Sequence, residues 1–327
     1  NKVVSPGGIF ASQYTAWVSA SRVAFDITTS SLRSSNYDST DGSYKIGSVT
    51  DLYMMLPYIE SSATGTVSGI TFKLSGNIDM SNPVSGSNLV TYIPYLGATA
   101  LINPNGYAVQ NFSFNRNTST IGFLGLVKNS TINNLIVNGA SYAGQTTNSV
   151  NALEYVGEAI GAIYGGVING GSVSLAANVQ GQNYIGGFVG YVGQGAVYGA
   201  TNSPVSSSGT SSSTVKFTGN YGGGLVGMMQ WVAANNLTSS LAVTGGSYAG
   251  GLVGSYDTAF STTDPTLLAN ITNYQGKNLT SSGTVTGTSN VGGLIGTLLF
   301  SGSYAASAGS TTVNLTNSSS TSAVVGS

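Results

Sequence analysis

The chain has 327 residues, 41% of them hydrophobic and 6% charged, with 47 glycines, no cysteine, no histidine and a net charge of -1. That length and apolar content can fill a sizeable core in one elongated domain, and the missing cysteines exclude disulfides, thiolate metal sites and thiol catalysis. Near-zero charge without a basic cluster argues against a nucleic-acid partner, no apolar run reaches the ~18 residues of a membrane-spanning helix, and a Ser-His-Asp arrangement lacks its histidine.

Residues 1–47 form a segment of their own. Within it Val23, Phe25 and Ile27 alternate with Ala24 and Asp26, the period of a half-buried strand that could cap the fold or pair with a neighbouring subunit. The chain opens at Asn1 with neither a methionine nor a hydrophobic signal core, so the expectation is a processed, exported protein, extracellular or on the cell surface. Asp38 and Asp41, in Asn36-Tyr-Asp-Ser-Thr-Asp-Gly42, could offer oxygens to calcium, but Asp and Gly also favour turns, and the turn carries more weight.

From Ser48 to Glu60 the period changes. Leu52, Met55, Leu56 and Ile59 recur at helical spacing, Ser48 and Asp51 are placed like a capping box, and Pro57 limits the helix, which predicts a short amphipathic lid over the open end of the fold. Thr71–Asp79 and Tyr107–Phe114 then alternate as short strands, and Lys73 with Asp79 is more readily a surface pair than an acid/base pair.

One phrase recurs five times: Tyr155-Val-Gly-Glu-Ala-Ile-Gly161, Tyr184-Ile-Gly-Gly-Phe-Val-Gly190, Tyr221-Gly-Gly-Gly-Leu-Val-Gly227, Tyr248-Ala-Gly-Gly-Leu-Val-Gly254 and Asn290-Val-Gly-Gly-Leu-Ile-Gly296. Its starts are 29, 37, 27 and 42 residues apart, as in stacked units that keep a core and vary their loops. Helix pairs are excluded, because each glycine costs about 1 kcal/mol in a helix relative to alanine. The repeat core falls on the glycine pairs Gly186/Gly187, Gly223/Gly224, Gly250/Gly251 and Gly292/Gly293, where adjacent backbones can approach. The tyrosines that open four copies predict a structural ladder rather than a row of sugar-stacking platforms.

The phrase resembles that of the GLUG-motif family of bacterial and archaeal surface proteins, and Val49-Thr-Asp-Leu52, Phe72–Met80, Ile93-Pro94, Gly106-Tyr107 and Ile121-Gly-Phe-Leu-Gly125 look like the leader that precedes it there. The resemblance spans about residues 48 to 300. It implies a right-handed parallel β-helix of the kind found in adhesins, secreted peptidases and other exoproteins. The first copy departs from the pattern at Glu158-Ala159, and residues 1–47 match nothing in the family. The expected organisation is therefore an all-β, right-handed parallel β-helix with a short N-terminal capping helix: residues 1–47 as cap or inter-subunit strand, 48–300 as the repeat body, 301–327 as a Ser/Thr-rich last coil or inter-subunit strand.

Charged residues are too few for the chemistry of a polysaccharide lyase or hydrolase. Between Ala159 and Tyr256 there is only Lys216, and beyond it only Asp257, Asp264 and Lys277. Glu154 and Glu158 are four apart on a Gly-rich repeat and are expected to face solvent. No catalytic, cofactor or metal residue is assigned, and the chain is expected not to be an enzyme. A 16-strand outer-membrane barrel fits the irregular Gly-rich phrase poorly.

Eight Asn-x-Ser/Thr sequons, at Asn111, Asn117, Asn129, Asn236, Asn270, Asn278, Asn314 and Asn317, permit N-glycosylation, although 29 Asn and 84 Ser plus Thr give roughly seven by chance. The resulting expectation is an extracellular structural protein whose copies assemble into a filament or sheath, with Val23, Phe25, Ile27, Val313 and Leu315 as candidate inter-subunit strand residues. The alternatives are a surface adhesin or carbohydrate-binding module using exposed tyrosines and, remotely, a lyase.

Overall fold

The structure is a computed structural model that describes residues 36–49, 51–52, 69–81, 93–97, 99–115, 119–139, 150–200, 203–257, 276–299 and 315–326. Its described elements are all strands. The expected helix over 48–60 is not seen as an element. What is described is one turn, in which the Leu52 amide donates to the Ser48 carbonyl (3.0 Å) and the Asp51 amide to the Ser48 hydroxyl (3.1 Å), and the rest of that stretch, including Met55, Leu56 and Ile59, lies outside the described residues.

The strands pair one repeat apart, and the pairs are parallel from Ser43–Ile46 to the C-terminus apart from one isolated bridge. One row of partners runs Tyr44, Phe72, Leu101, Ile132, Ile168, Val197, Ala234, Gly276, Leu315, nine rungs deep. A second runs Ile93, Leu124, Ile160, Val189, Val226, Val253, Ile295. A third, in a separate sheet, runs Phe114, Val150, Val179, Val215, Val243, Val285, Val324. A fourth, in a third sheet, runs Val156, Ile185, Gly222, Ala249, Val291. These rows bring branched and aromatic side chains of successive repeats into one continuous core, in which Phe72, Ile132, Ile160, Val189, Val215 and Val253 are almost fully buried.

The glycine pairs mark where backbone meets backbone. A Cβ on Gly223 would lie 1.9 Å from the Val226 carbonyl oxygen, and one on Gly224 would lie 2.2 Å from the Gly251 carbonyl oxygen in the next repeat. Facing the second glycines inside the stack is a row of serines in register, Ser207, Ser239, Ser281 and Ser320, which continues upward as Val173 and Val137. Ser207 donates to the Gly224 carbonyl (2.7 Å) and Ser281 to the Gly293 carbonyl (2.6 Å), so these buried hydroxyls are satisfied.

The two ends of the stack differ. At the first, Tyr37–Asp38 pairs antiparallel with Ser43–Ile46 and covers its outer edge. At the other, Leu315–Thr316, Ser319–Ser320 and Val324–Gly326 pair with the preceding rung on their inner side.

Candidate functional surfaces

Near the first end, Asp38 closes the strand Tyr37–Asp38 and Asp41 lies in the tight turn that leads to Ser43–Ile46. Lys73 reaches across one rung to both, bonding Asp41 and standing 3.2 Å from Asp38, while Lys45 is 3.1 Å from Asp38. Backbone and lysine hydrogen bonds hold the Asp38 carboxyl far below the usual carboxylate range, and the Lys73 bond does the same for Asp41 to a lesser degree. Carboxylate oxygens of Asp38 and Asp41 thus meet ammonium groups. Lys73 is not paired with Asp79, whose carboxylate instead accepts from Asn111 Nδ2 (2.8 Å) and the Ser81 amide (2.9 Å), lowering its pKa. Among the described residues no group of three or more Asp, Glu, His or Cys could hold a metal ion, and no helix is long and apolar enough to cross a membrane.

The phrase-opening tyrosines form the ladder that their spacing predicts. Tyr155, Tyr184, Tyr221 and Tyr248 stack on the outer surface with ring centroids 4.6, 5.0 and 4.9 Å apart, close to the distance between neighbouring strands. All four have φ in the left-handed region, between 53° and 67°, and Thr120 before them (64°) and Asn290 after them (50°) lie in the same region. Left-handed backbone at one corner of every repeat therefore aims these rings outward in register. Tyr191 packs edge-on against Tyr155 and Tyr184, its hydroxyl donating to Gln230 (2.6 Å), and Tyr164 lies 5.0 Å from it. With Leu126, Ala162 and Met228 these rings make a small apolar cluster separate from the main core. Burial pushes the Tyr191 hydroxyl pKa well up. Ring faces inside the stack are covered by their neighbours, and one face of Tyr248 looks toward Asn290 instead of another ring.

A second left-handed corner explains much of the sequon pattern. Asn134, Gly170, Asn236, Asn278 and Asn317 occupy one register position, with φ between 50° and 73°. Asn tolerates that conformation better than most side chains. In Asn236-Leu-Thr238 and Asn278-Leu-Thr280 the leucine is buried, and the threonine stands in the ladder, Thr280 donating to Thr238 (2.9 Å). The side-chain amide of Asn236 bonds the Ala200 carbonyl, and that of Asn278 reaches Asn235 at 3.5 Å. Asn111 and Asn129 are also left-handed, Asn317 is exposed on the last rung, and Asn117, Asn270 and Asn314 lie outside the described residues.

Glu158 corrects an expectation: it does not face solvent. Its side chain is fully buried, and neither carboxylate oxygen has a hydrogen-bond partner. Its neighbour Glu154 is only partly buried and accepts from Asn183 Nδ2 (3.0 Å). Burial alone pushes the Glu158 carboxyl well above its ordinary range.

Of the candidate inter-subunit strand residues, Val23, Phe25, Ile27 and Val313 lie outside the described residues. Leu315 pairs with Gly276 of its own chain. That leaves the outer side of the last rung, where Leu298, Leu315, Val324 and Val325 are 38–50% exposed and Val291, Leu294 and Ile295 are only half-buried, unlike Ala249, Leu252 and Val253 one repeat earlier. Lys277 is the one charged residue among the described residues from 276 to the end.

No family model matches the chain, and no curated protein matches it. A crystal structure of a putative immunoglobulin A1 protease from Bacteroides ovatus is similar to it, with a TM-score of 0.51 at 16% identity over 89% of this chain and 85% of that one. At that identity the likeness concerns the fold alone.

Proposed function

We propose that the chain is a right-handed parallel β-helix of GLUG type, an extracellular structural protein whose copies join end to end in a cell-surface filament or sheath. The parallel rows one repeat apart support the β-helix, and right-handed crossovers are the norm for parallel strands in one sheet. The single observation that carries self-assembly is the exposed apolar surface of the rung formed by Leu315–Thr316 and Val324–Gly326. Natural proteins blunt a strand edge with lysine, proline or a bulge, whereas Val324-Val325-Gly326 is uncharged and its two valines are exposed. Such an edge fits a strand of a second copy, for which the alternating Val23–Ile27 segment has the right pattern. Copies of itself are the principal partner, with cell envelope or surface glycans as secondary ones. No catalytic role is proposed: Asp38, Asp41 and Asp79 are engaged in turns and pairs, and Glu158 is sealed from substrate.

Electron microscopy of the intact protein tests this. Regular filaments are expected for the wild type, and mostly single rods for Val325→Lys, because a buried ammonium at the junction lacks a counter-charge. Single rods from the wild type at high concentration overturn the proposal. They would favour the adhesin reading, for which Tyr248, the end ring of the ladder beside exposed Asn290, is the best-placed sugar platform, checked by loss of glycan-array binding in Tyr248→Ala.

A further inference from the structure

Glu158 stands where every later copy of the phrase has glycine: Gly187, Gly224, Gly251 and Gly293. The flanking pairs Val156–Ile185 and Ile160–Val189 fix that correspondence. A Cβ built on Gly187 points inward and meets the Ser207 Cβ at 3.2 Å. One repeat earlier the partner of Ser207 is Val173, so the residue opposite Glu158 is a valine, where the later repeats place serines. The acidic side chain therefore enters the stack at the level where the facing hydroxyl row has given way to hydrocarbon, with both its oxygens unpartnered.

Among the described residues no opposite charge reaches it. The titratable groups on the strands around it are Lys128, Glu154, Tyr155, Tyr164, Tyr184, Tyr191 and Tyr198, and all lie on the outer surface: Lys128, Tyr164 and Tyr198 are exposed, Glu154 is bonded to Asn183, and Tyr155, Tyr184 and Tyr191 belong to the outer ring cluster. The facing strands Thr131–Gly139, Val167–Leu175 and Val205–Gly209 contain no titratable residue. A carboxylate cannot persist in such a place without a counter-ion, whereas the neutral acid can.

We propose that Glu158 is a proton-operated latch: the repeat opening at Tyr155 closes around the neutral acid, and ionisation of that acid loosens this repeat first. The sign follows from linkage. The folded state holds its proton above the pH at which an unfolded glutamate loses it, near 4.3, so the contribution of Glu158 to stability is fully present below that pH and declines as pH rises, until the folded carboxyl itself ionises. Asp38, Asp41 and Asp79, whose carboxyls are held low, act in the opposite sense in acid. This inference does not depend on filament formation.

Hydrogen exchange of the intact chain, read peptide by peptide from pH 5 to 9, tests it, with Tyr221–Gly227 as the internal reference that cancels the intrinsic pH dependence. Relative to that reference, the opening constant of residues 154–164 should rise about tenfold per pH unit while the folded acid keeps its proton, and then level off. Glu158→Gln should abolish that slope, and Glu158→Gly, which restores the residue of the other copies, should do so too if the amide disturbs folding. An infrared band of a protonated carboxyl at neutral pH, lost in either variant, is the second expected signature. Equal slopes in wild type and variants, or absence of that band at pH 6, overturn the proposal.

Discussion

A tyrosine at positive φ pays a conformational cost that most side chains avoid, and Tyr155, Tyr184, Tyr221 and Tyr248 repeat that cost in register. Stacking offsets it, because each interior ring is flanked on both faces by neighbours at the strand spacing. Tyr221→Ala should therefore lower stability by ~1–3 kcal/mol, two ring contacts at about 0.5–1.5 each, whereas Tyr221→Asn should lose less because asparagine holds the corner. Denaturant midpoints of the two variants measure the difference. The ladder was legible in the sequence because the tyrosines recur at one place in a repeated phrase. The burial of Glu158 was not, since glutamate is seldom buried alone and its four-residue distance from Glu154 suggested a shared surface. The phrase held the missing signal: its fourth position is glycine elsewhere because whatever stands there points into the stack.

Among the elements, the glycine pair does the closest packing. Gly224→Ala places a methyl group 2.2 Å from the Gly251 carbonyl oxygen and 2.3 Å from Ser239 Oγ, and the backbone on that side cannot retreat without breaking its own ladder. The expected cost is about 3 kcal/mol, seen as a lowered melting temperature by calorimetry, while the same change at Gly326, where a Cβ meets nothing within 4 Å, should leave it unchanged. Strand placement was readable from the alternating runs Thr71–Asp79 and Tyr107–Phe114, which hold strands at Thr71–Leu74, Ile78–Asp79 and Ala108–Phe112. Of the helical period of 48–60, Val49, Asp51 and Leu52 are described and are helical. Only its first turn is described, and it is fixed by Ser48, while Asp51 turns its carboxylate back to the Gly47 amide (3.0 Å) and to Asn36 (3.1 Å). Sequons carry a second meaning: Asn-Leu-Thr in this chain also spells corner, core and ladder, three demands of the backbone that coincide with a glycosylation signal.

For the whole molecule, stacking makes stability a sum of neighbouring rungs, so interior and terminal repeats should not open together. In dispersed protein, amides of Val189–Tyr198 and Val226–Ser239 should exchange slowest and those of Leu315–Thr316 and Val324–Gly326 fastest, and assembly should slow the latter selectively. Hydrogen exchange before and after assembly checks this, and uniform protection along the dispersed chain would contradict it. The repeat architecture was legible because five phrases share one core, but the differing ends were not, since they depend on which side of a strand is covered. The serine row has a last consequence. Near-identical repeats invite an alignment error in which one repeat folds in the place of the next, and a uniform interior could not tell the two arrangements apart. The change from Val137 and Val173 to Ser207, Ser239 and Ser281 gives the interior a scale with a zero mark, so a chain displaced by one repeat would set a valine where a glycine carbonyl awaits a hydroxyl.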